Sequence, residues 1–299
     1  MTPPLNSRPI ERTQAFGWIE EASHALSEAE AMTVFRQTCF NRYFEFECSR
    51  AANSKRIKAP IYRSVGQEHI PATLALIFPG IKIFAQHRAH SYYLSFGGDP
   101  QQLADELLHK ETGCARGMGG SPSIHSPEIG MFGHSGHMGD QVPIAAGYAL
   151  ASKIPSLAVV GDASAEEDYV LGAIGYAATK GIPLLLVCED NDLSILTKTA
   201  TRRSWSLAGV AKSFGIESID ISDDPWLIAF HARRAHGSLP FLMNIRTCRQ
   251  LWHAGTGCDG EPEWNRFEIF KSQLIARGLA EDVAVTIEQA KEKAASYWI

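Results

Sequence analysis

A short apolar strand running into an acidic turn, a helix, a second apolar strand and a second acidic turn constrains this chain more than any other feature. Leu157-Ala158-Val159-Val160 leads into Gly161-Asp162-Ala163-Ser164. A helical run follows, Gly181-Ile182-Pro183 breaks it, and Leu184-Leu185-Leu186-Val187-Cys188 leads into Glu189-Asp190-Asn191-Asp192-Leu193. In a parallel βαβ unit both turns lie at the carboxyl ends of neighbouring strands and face one crevice. Asp162 and Asn191 then present a carboxylate and an amide oxygen, hard ligands suited to Mg²⁺ or Ca²⁺. The small residues after Asp162 let backbone N–H groups approach a phosphate at a helix N-terminus. The unit reads as a metal ion clamping a diphosphate.

The rest of the chain fits around it. Its 299 residues, 45% hydrophobic and 20% charged, suffice for a substantial core. A net charge of −5 gives no electrostatic case for nucleic acid or an anionic membrane. No apolar run reaches the ~18–20 residues of a membrane helix, and residues 1–16 show no secretory signal. Cys39, Cys48, Cys114, Cys188, Cys248 and Cys258 have no C-x-x-C spacing and read as reduced thiols of a cytoplasmic protein.

Residues 1–24 read as an extended arm and 25–299 as a single domain. Ser27 and Glu30 form a capping box for a helix reaching about Ala52. Helical spacing or apolar runs place further elements in alternation. Pro71–Phe78 reads as helix, Ile81–Ala85 as strand, Gln101–Lys110 and Pro143–Ser152 as helices. After the central unit come helix Leu207–Phe214, strand Glu217–Ile221, helix Pro225–His236, strand Pro240–Arg246 and two closing helices, Glu263–Arg277 and Glu281–Trp298. The alternation predicts an α/β fold, a doubly wound parallel sheet with helices on both faces. Gln86-His87-Arg88-Ala89-His90 follows a strand directly, so it is either a solvated loop or part of the ligand crevice. The long glycine-rich loop Gly113–Gly139 is of the kind that carries function. The segment from Leu193 to Trp205 and the segment Thr247–Gly260 read as loops.

Several motifs occur in one order: Arg42-x-Phe44-Glu45, Gly66-Gln67-Glu68, Arg88-Ala89-His90, Gly113-Cys114-Ala115-x-Gly117-x-Gly119-Gly120-Ser121, Gln141-Val142-Pro143, Gly161-Asp162 and Asn191. This order resembles the alpha subunit of the thiamine-diphosphate-dependent, decarboxylating component of 2-oxo acid dehydrogenase complexes. The resemblance runs from about Leu26 to Ala295. It implies the thiamine-diphosphate-binding fold of the diphosphate-binding type, with thiamine diphosphate and Mg as cofactors. Asp162, the Asn191 side chain and the Leu193 carbonyl would hold the metal. Arg88 and the N–H groups of Ala163 and Ser164 would hold the diphosphate. Gly136 and Met138 match the positions around the aminopyrimidine, Met138 also as the apolar wedge that bends the cofactor; the alternative for Met138 is ordinary core. His253 matches a loop histidine near the reacting carbon, a proton donor if its pKa is near neutrality. The alternative is a plain loop histidine. His90 matches another histidine near the cofactor, and Arg249 an arginine that orders the loop.

The resemblance further implies a beta-like partner carrying the pyrimidine-binding half and the catalytic glutamate, in an α2β2 assembly, with a lipoyl domain as acceptor. The departures fall mostly at the substrate end. Tyr62 stands where the family has a histidine, His87 where it has a tyrosine, and Ala254 where it has a phosphorylatable serine. His134 and His137 differ in type from the family. Within the clamp itself, Ala163 replaces a glycine, tolerable only at negative φ, and Asp192 adds negative charge near the metal. Two readings stay open beside oxidative decarboxylation of a 2-oxo acid. One is a thiamine enzyme working without lipoamide, a decarboxylase, carboligase or ketol transferase acting on a ketose-like substrate. The other is a cofactor-free scaffold, against which the intact Asp162, Asn191 and Arg88 speak.

Overall fold

The computed structural model describes residues 11–298; the first ten residues of the expected arm and Ile299 lie outside the described residues. In chain order the elements are α1 (Glu28–Asn53), α2 (His69–Ile77), β1 (Lys82–Phe84), α3 (His90–Ser95), α4 (Pro100–Leu107), β2 (Met131–Phe132), α5 (Gln141–Ser152) and β3 (Ser156–Gly161). Then follow α6 (Asp168–Lys180), β4 (Leu184–Asp190), β5 (Leu193–Ser194), β6 (Thr197–Lys198), α7 (Thr199–Arg202) and α8 (Leu207–Ser213). The chain closes with β7 (Glu217–Ser222), α9 (Pro225–Ala235), β8 (Phe241–Arg246), α10 (Arg266–Ala276) and α11 (Ala280–Ser296).

Six strands form one sheet in the order β2-β1-β3-β4-β8-β7, parallel at every pairing. Side chains alternate across it with period two. Leu157, Val159, Leu185, Val187, Met243 and Ile245 face a core shared with α1, α2, α9, α10 and α11. Ala158, Val160, Leu184, Leu186, Cys188 and Leu242 face the other core, with α5, α6 and α8. This is the doubly wound α/β sheet that the alternation predicts. Every residue of β4 is buried, as a continuous apolar run requires when both faces of a central parallel strand are covered.

The capping box forms: the Ser27 hydroxyl accepts from Glu30 N at 3.3 Å, and the Glu30 carboxylate accepts from Ser27 N at 2.9 Å. Five short elements depart from the sequence reading. Helix α3 starts at the end of the Gln86–His90 stretch, β2 lies inside the glycine-rich loop, and β5, β6 and α7 occupy part of the segment read as loop after Leu193. Each is six residues or fewer, too short to show a period. The described part of the arm is tied down. Phe16 O accepts from Ser222 N at 2.8 Å, and Arg12 reaches Glu263 at 2.7 Å and the Thr247 carbonyl at 2.5 Å.

The motif residues before the central unit act largely as scaffold. Arg42 pairs with Glu68 at 2.6 Å. Gly66, at φ +100°, has no room for a side chain, since a Cβ would stand 2.1 Å from the Cys248 carbonyl. The glycine-rich loop is wound on one carboxylate. Glu106, buried near the end of α4, accepts N–H bonds from Ala115 and Gly117 on Oε2 (both 2.8 Å) and from Gly119 and Gly120 on Oε1 (both 2.9 Å). Bonds to a charged group are the strong ones, and losing the acceptor strands buried donors. Glu106→Ala should therefore lower the free energy of unfolding by about 3 kcal/mol, read by urea denaturation. A change under about 0.5 kcal/mol, the size expected of an exposed substitution, would contradict this role.

Candidate active site

The carboxyl ends of β1, β3 and β4, together with the segment after β8, enclose a cavity of about 300 Å³. Gln86, His87 and Arg88 follow β1; Gly161 to Ser164 end and follow β3; Asn191 and Leu193 follow β4; Arg249 and His253 follow β8. An open parallel sheet offers its ligand crevice at such a place. Of the predicted residues, Arg88, Met138, Asp162, Ala163, Ser164, Asn191, Leu193 and His253 all line it.

One end is acidic. Asp162 is buried, and its Oδ2 accepts from Arg202 Nη2 at 2.5 Å and from Thr199 Oγ1 at 3.1 Å. No described residue donates to Oδ1. The Asn191 amide oxygen accepts from Leu193 N at 3.1 Å, and its Nδ2 donates to Gln67 Oε1 at 3.1 Å. The two expected metal ligands thus share one wall, each with oxygen lone pairs uncommitted. Ala163 has φ −76°, so its methyl group is accommodated without strain. Asp192 does not add charge to the cavity. At φ +63° its side chain turns away, accepting from Thr199 N at 2.9 Å and pairing with Lys198 at 3.1 Å.

The same cavity is also lined by basic side chains. Arg88 is buried, and it spends its hydrogen bonds on the Arg63 carbonyl (3.0 Å), the His253 carbonyl (2.9 Å) and His253 Nδ1 (3.0 Å). Among the described residues no carboxylate pairs with it. Burial and the neighbouring Arg249 pull its guanidinium pKa down to about 9. Arg249 pairs with Asp259 at 2.5 Å and approaches His253 Nδ1 at 3.4 Å. With guanidinium donors on Nδ1, the proton of His253 belongs on Nε2. Burial first, then Arg88 and Arg249, lowers its pKa to about 4. The expectation of a near-neutral His253 is therefore corrected: at neutral pH it is an uncharged imidazole.

Two predicted residues stand apart from the lining. His90 is fully buried, between Glu45 Oε2 and Ser121 Oγ, both at 2.9 Å. It braces the wall behind the site rather than facing the cavity. Gly136 lies in the neighbouring loop at φ +101°, donating to His134 Nδ1 at 3.1 Å. Met138 is not core: it is 39% exposed at the cavity edge, and its carbonyl accepts from the Tyr169 hydroxyl at 2.5 Å. Glu45, Cys48 and His90 bring three ligand-type atoms within 4.8 Å of one another. Glu45 is already held by Ser64 and His90, and burial raises the Cys48 thiol well above its usual range, so that cluster is poorly suited to a metal.

The sequence reading missed a layer beneath the clamp. The Glu189 carboxylate accepts from Gln86 Nε2 (2.9 Å), Gln67 Nε2 (3.1 Å) and the Tyr92 hydroxyl (3.1 Å), and burial raises its pKa to about 7. Through Gln67 it orients Asn191. Its one signal was an acidic residue continuing an apolar strand. Arg202 and Arg203, which hold Asp162 and Glu166, gave no signal.

A parallel sheet with a cavity at its carboxyl edge, lined by both acidic and cationic side chains, is the ligand-crevice arrangement of open α/β proteins. The fold is shared with transketolase from Campylobacter jejuni, with a TM-score of 0.58, 14% identity, and coverage of 89% of this chain and 48% of that one. It is the α/β thiamine-diphosphate-binding fold. The family model described as dehydrogenase E1 component matches residues 36–259, and the chain belongs to that family. Relatives include the pyruvate dehydrogenase E1 component subunit alpha of Zymomonas mobilis, 30% identical with 87% of this chain and 80% of that one covered. The mitochondrial subunit alpha of Dictyostelium discoideum is 29% identical over 78% of this chain. The match spans 64% of the length of the Dictyostelium relative, less than two thirds.

The electrostatics give a direct check. Replacing Arg249 with Met removes a positive neighbour and leaves Asp259, so the His253 pKa should rise from about 4 toward its ordinary 6.5. Histidine NMR titration reads this, and an unmoved pKa would show that Arg249 does not set the charge of His253.

Proposed function

We propose that the chain is the alpha-type subunit of a thiamine-diphosphate- and Mg-dependent enzyme that decarboxylates a 2-oxo acid. Its active site is completed by a beta-like partner, most simply in an α2β2 assembly, and the acyl group passes to an acceptor such as a lipoyl domain. The observation that carries this reading is Arg88, a buried guanidinium without a carboxylate, lining the same cavity as Asp162 and Asn191. A buried charge left unpaired is costly, and an anionic group bridged to a cation satisfies both walls at once. Membership of the dehydrogenase E1 component family supports the reading.

When bound, thiamine diphosphate supplies the electron sink for carbanion chemistry beside a carbonyl. The chain's own residues bind and orient. Asp162, the Asn191 amide oxygen and the Leu193 carbonyl would hold Mg²⁺. Arg88 and the N–H groups of Ala163 and Ser164 would hold the diphosphate. Met138 and Gly136 would border the ring system. His253, uncharged with its proton on Nε2, would donate a hydrogen bond at the reacting end. Anionic charge arriving beside Arg88 and Arg249 raises the pKa of His253, moving it toward proton-transfer competence. His90 would act as a positioning residue, holding Glu45 and Ser121. Among the described residues no helix is long and apolar enough to cross a membrane.

In the assembly reconstituted with the beta-like partner, Asp162→Ala should abolish Mg²⁺-dependent binding of thiamine diphosphate, measured by calorimetry with and without the metal. Unchanged affinity would remove Asp162 from the metal site and leave it a partner of Arg202 and Thr199.

A further inference from the structure

Two histidines, His87 and His253, line the same cavity as Asp162. His87 lines the cavity, and both its ring nitrogens are buried without a partner among the described residues. Its ring lies 4.9 Å from Tyr62, 5.8 Å from His253 and 6.3 Å from His134, centroid to centroid. His134 accepts from Gly136 N on Nδ1 at 3.1 Å, which leaves its proton on Nε2; that atom is also buried without a partner. His253 likewise offers Nε2–H. Burial, then Arg88 and the neighbouring histidines, lowers the His87 pKa well below its ordinary value, so the ring is uncharged.

An uncharged imidazole holds one N–H donor and one acceptor nitrogen. To satisfy His87, a ligand must bring an acceptor to one nitrogen and a hydrogen to the other. A carboxylate or carbonyl oxygen does the first. Only a hydroxyl or another hydrogen donor does the second. An alkyl chain does neither and shuts water away from both nitrogens, an unfavourable outcome. The N–H of His253, which lines the same cavity, adds a donor for a further oxygen.

We propose that this site takes a carbonyl substrate whose carbon chain carries hydroxyl groups, and that His87 is the residue that selects it over an alkyl 2-oxo acid. The proposal rests on the functional reading above and names the substrate class of that same cavity. Tyr62 and His253 pack around the His87 ring and fix its plane, so its two nitrogens hold fixed directions.

The test compares hydroxypyruvate with pyruvate on the chain assembled with its beta-like partner and loaded with Mg²⁺ and thiamine diphosphate, by calorimetry. The expected affinity ratio favours hydroxypyruvate by at least about tenfold, the scale on which a site built for a hydroxyl rejects the analogue lacking it. His87→Phe, which keeps the ring packing, should bring the ratio to about one. His87→Gln, which restores a donor and an acceptor, should recover part of it. In ¹⁵N-histidine NMR spectra, hydroxypyruvate should move the His87 ring nitrogens, and pyruvate should move them less. Equal affinities, binding of neither compound, or an unchanged ratio in His87→Phe would overturn the proposal while cofactor binding keeps the functional reading intact. A wild-type assembly with the beta-like partner that fails to bind thiamine diphosphate would overturn both.

Discussion

A guanidinium buried without a counter-charge governs this site. Arg88 lies beneath the protein surface, is held by carbonyl oxygens and an imidazole, and has Arg249 as a like-charged neighbour. Such an arrangement costs folding energy in the free protein. It persists because the surrounding structure holds the side chain in place: β1 delivers it, the Arg63 carbonyl fixes one Nη, and the loop after β8 fixes the other. Stability forgone in this way is characteristic of residues kept for binding. Asp162, in the same cavity, follows the same pattern, since among the described residues only its Oδ2 is satisfied.

The sheet makes the juxtaposition possible. β1, β3, β4 and β8 are neighbours, so four turns far apart in sequence open on one cavity. That much was legible from the chain alone. Apolar runs of strand length, separated by helical stretches, dictate a parallel sheet, and the acidic turns at strand ends mark where it binds. The Asp162–Asn191 wall was readable because both residues follow strands directly. The His87–Arg88 wall was half readable for the same reason, with its cationic character visible but its partners hidden.

What was not legible depends on three-dimensional partners. Nothing local in the sequence joins Glu106 to four amides of a loop that follows it, or Glu189 to Gln67 and Gln86. The turning of Asp192 away from the cavity depends on a positive φ and on Lys198, both set by the β5–β6 hairpin. The ionisation of His253 depends on burial and then on two arginines, one of them distant in sequence, so a lone reading of the histidine as near neutrality could not hold. His90 shows the converse: a motif histidine whose neighbours make it a brace.

The central claim is that Arg88 is a charge stored for an anion, and one substitution tests it in both directions. Arg88→Met should weaken binding of inorganic pyrophosphate in the presence of Mg²⁺ by at least about tenfold, given the strength of charge-assisted hydrogen bonds. It should also raise the melting temperature of the ligand-free protein, because an unpaired buried charge is replaced by an apolar side chain of similar length. Calorimetry of the same two proteins reads both quantities. Retained pyrophosphate affinity together with a lowered melting temperature would show that Arg88 is structural, and would contradict the account.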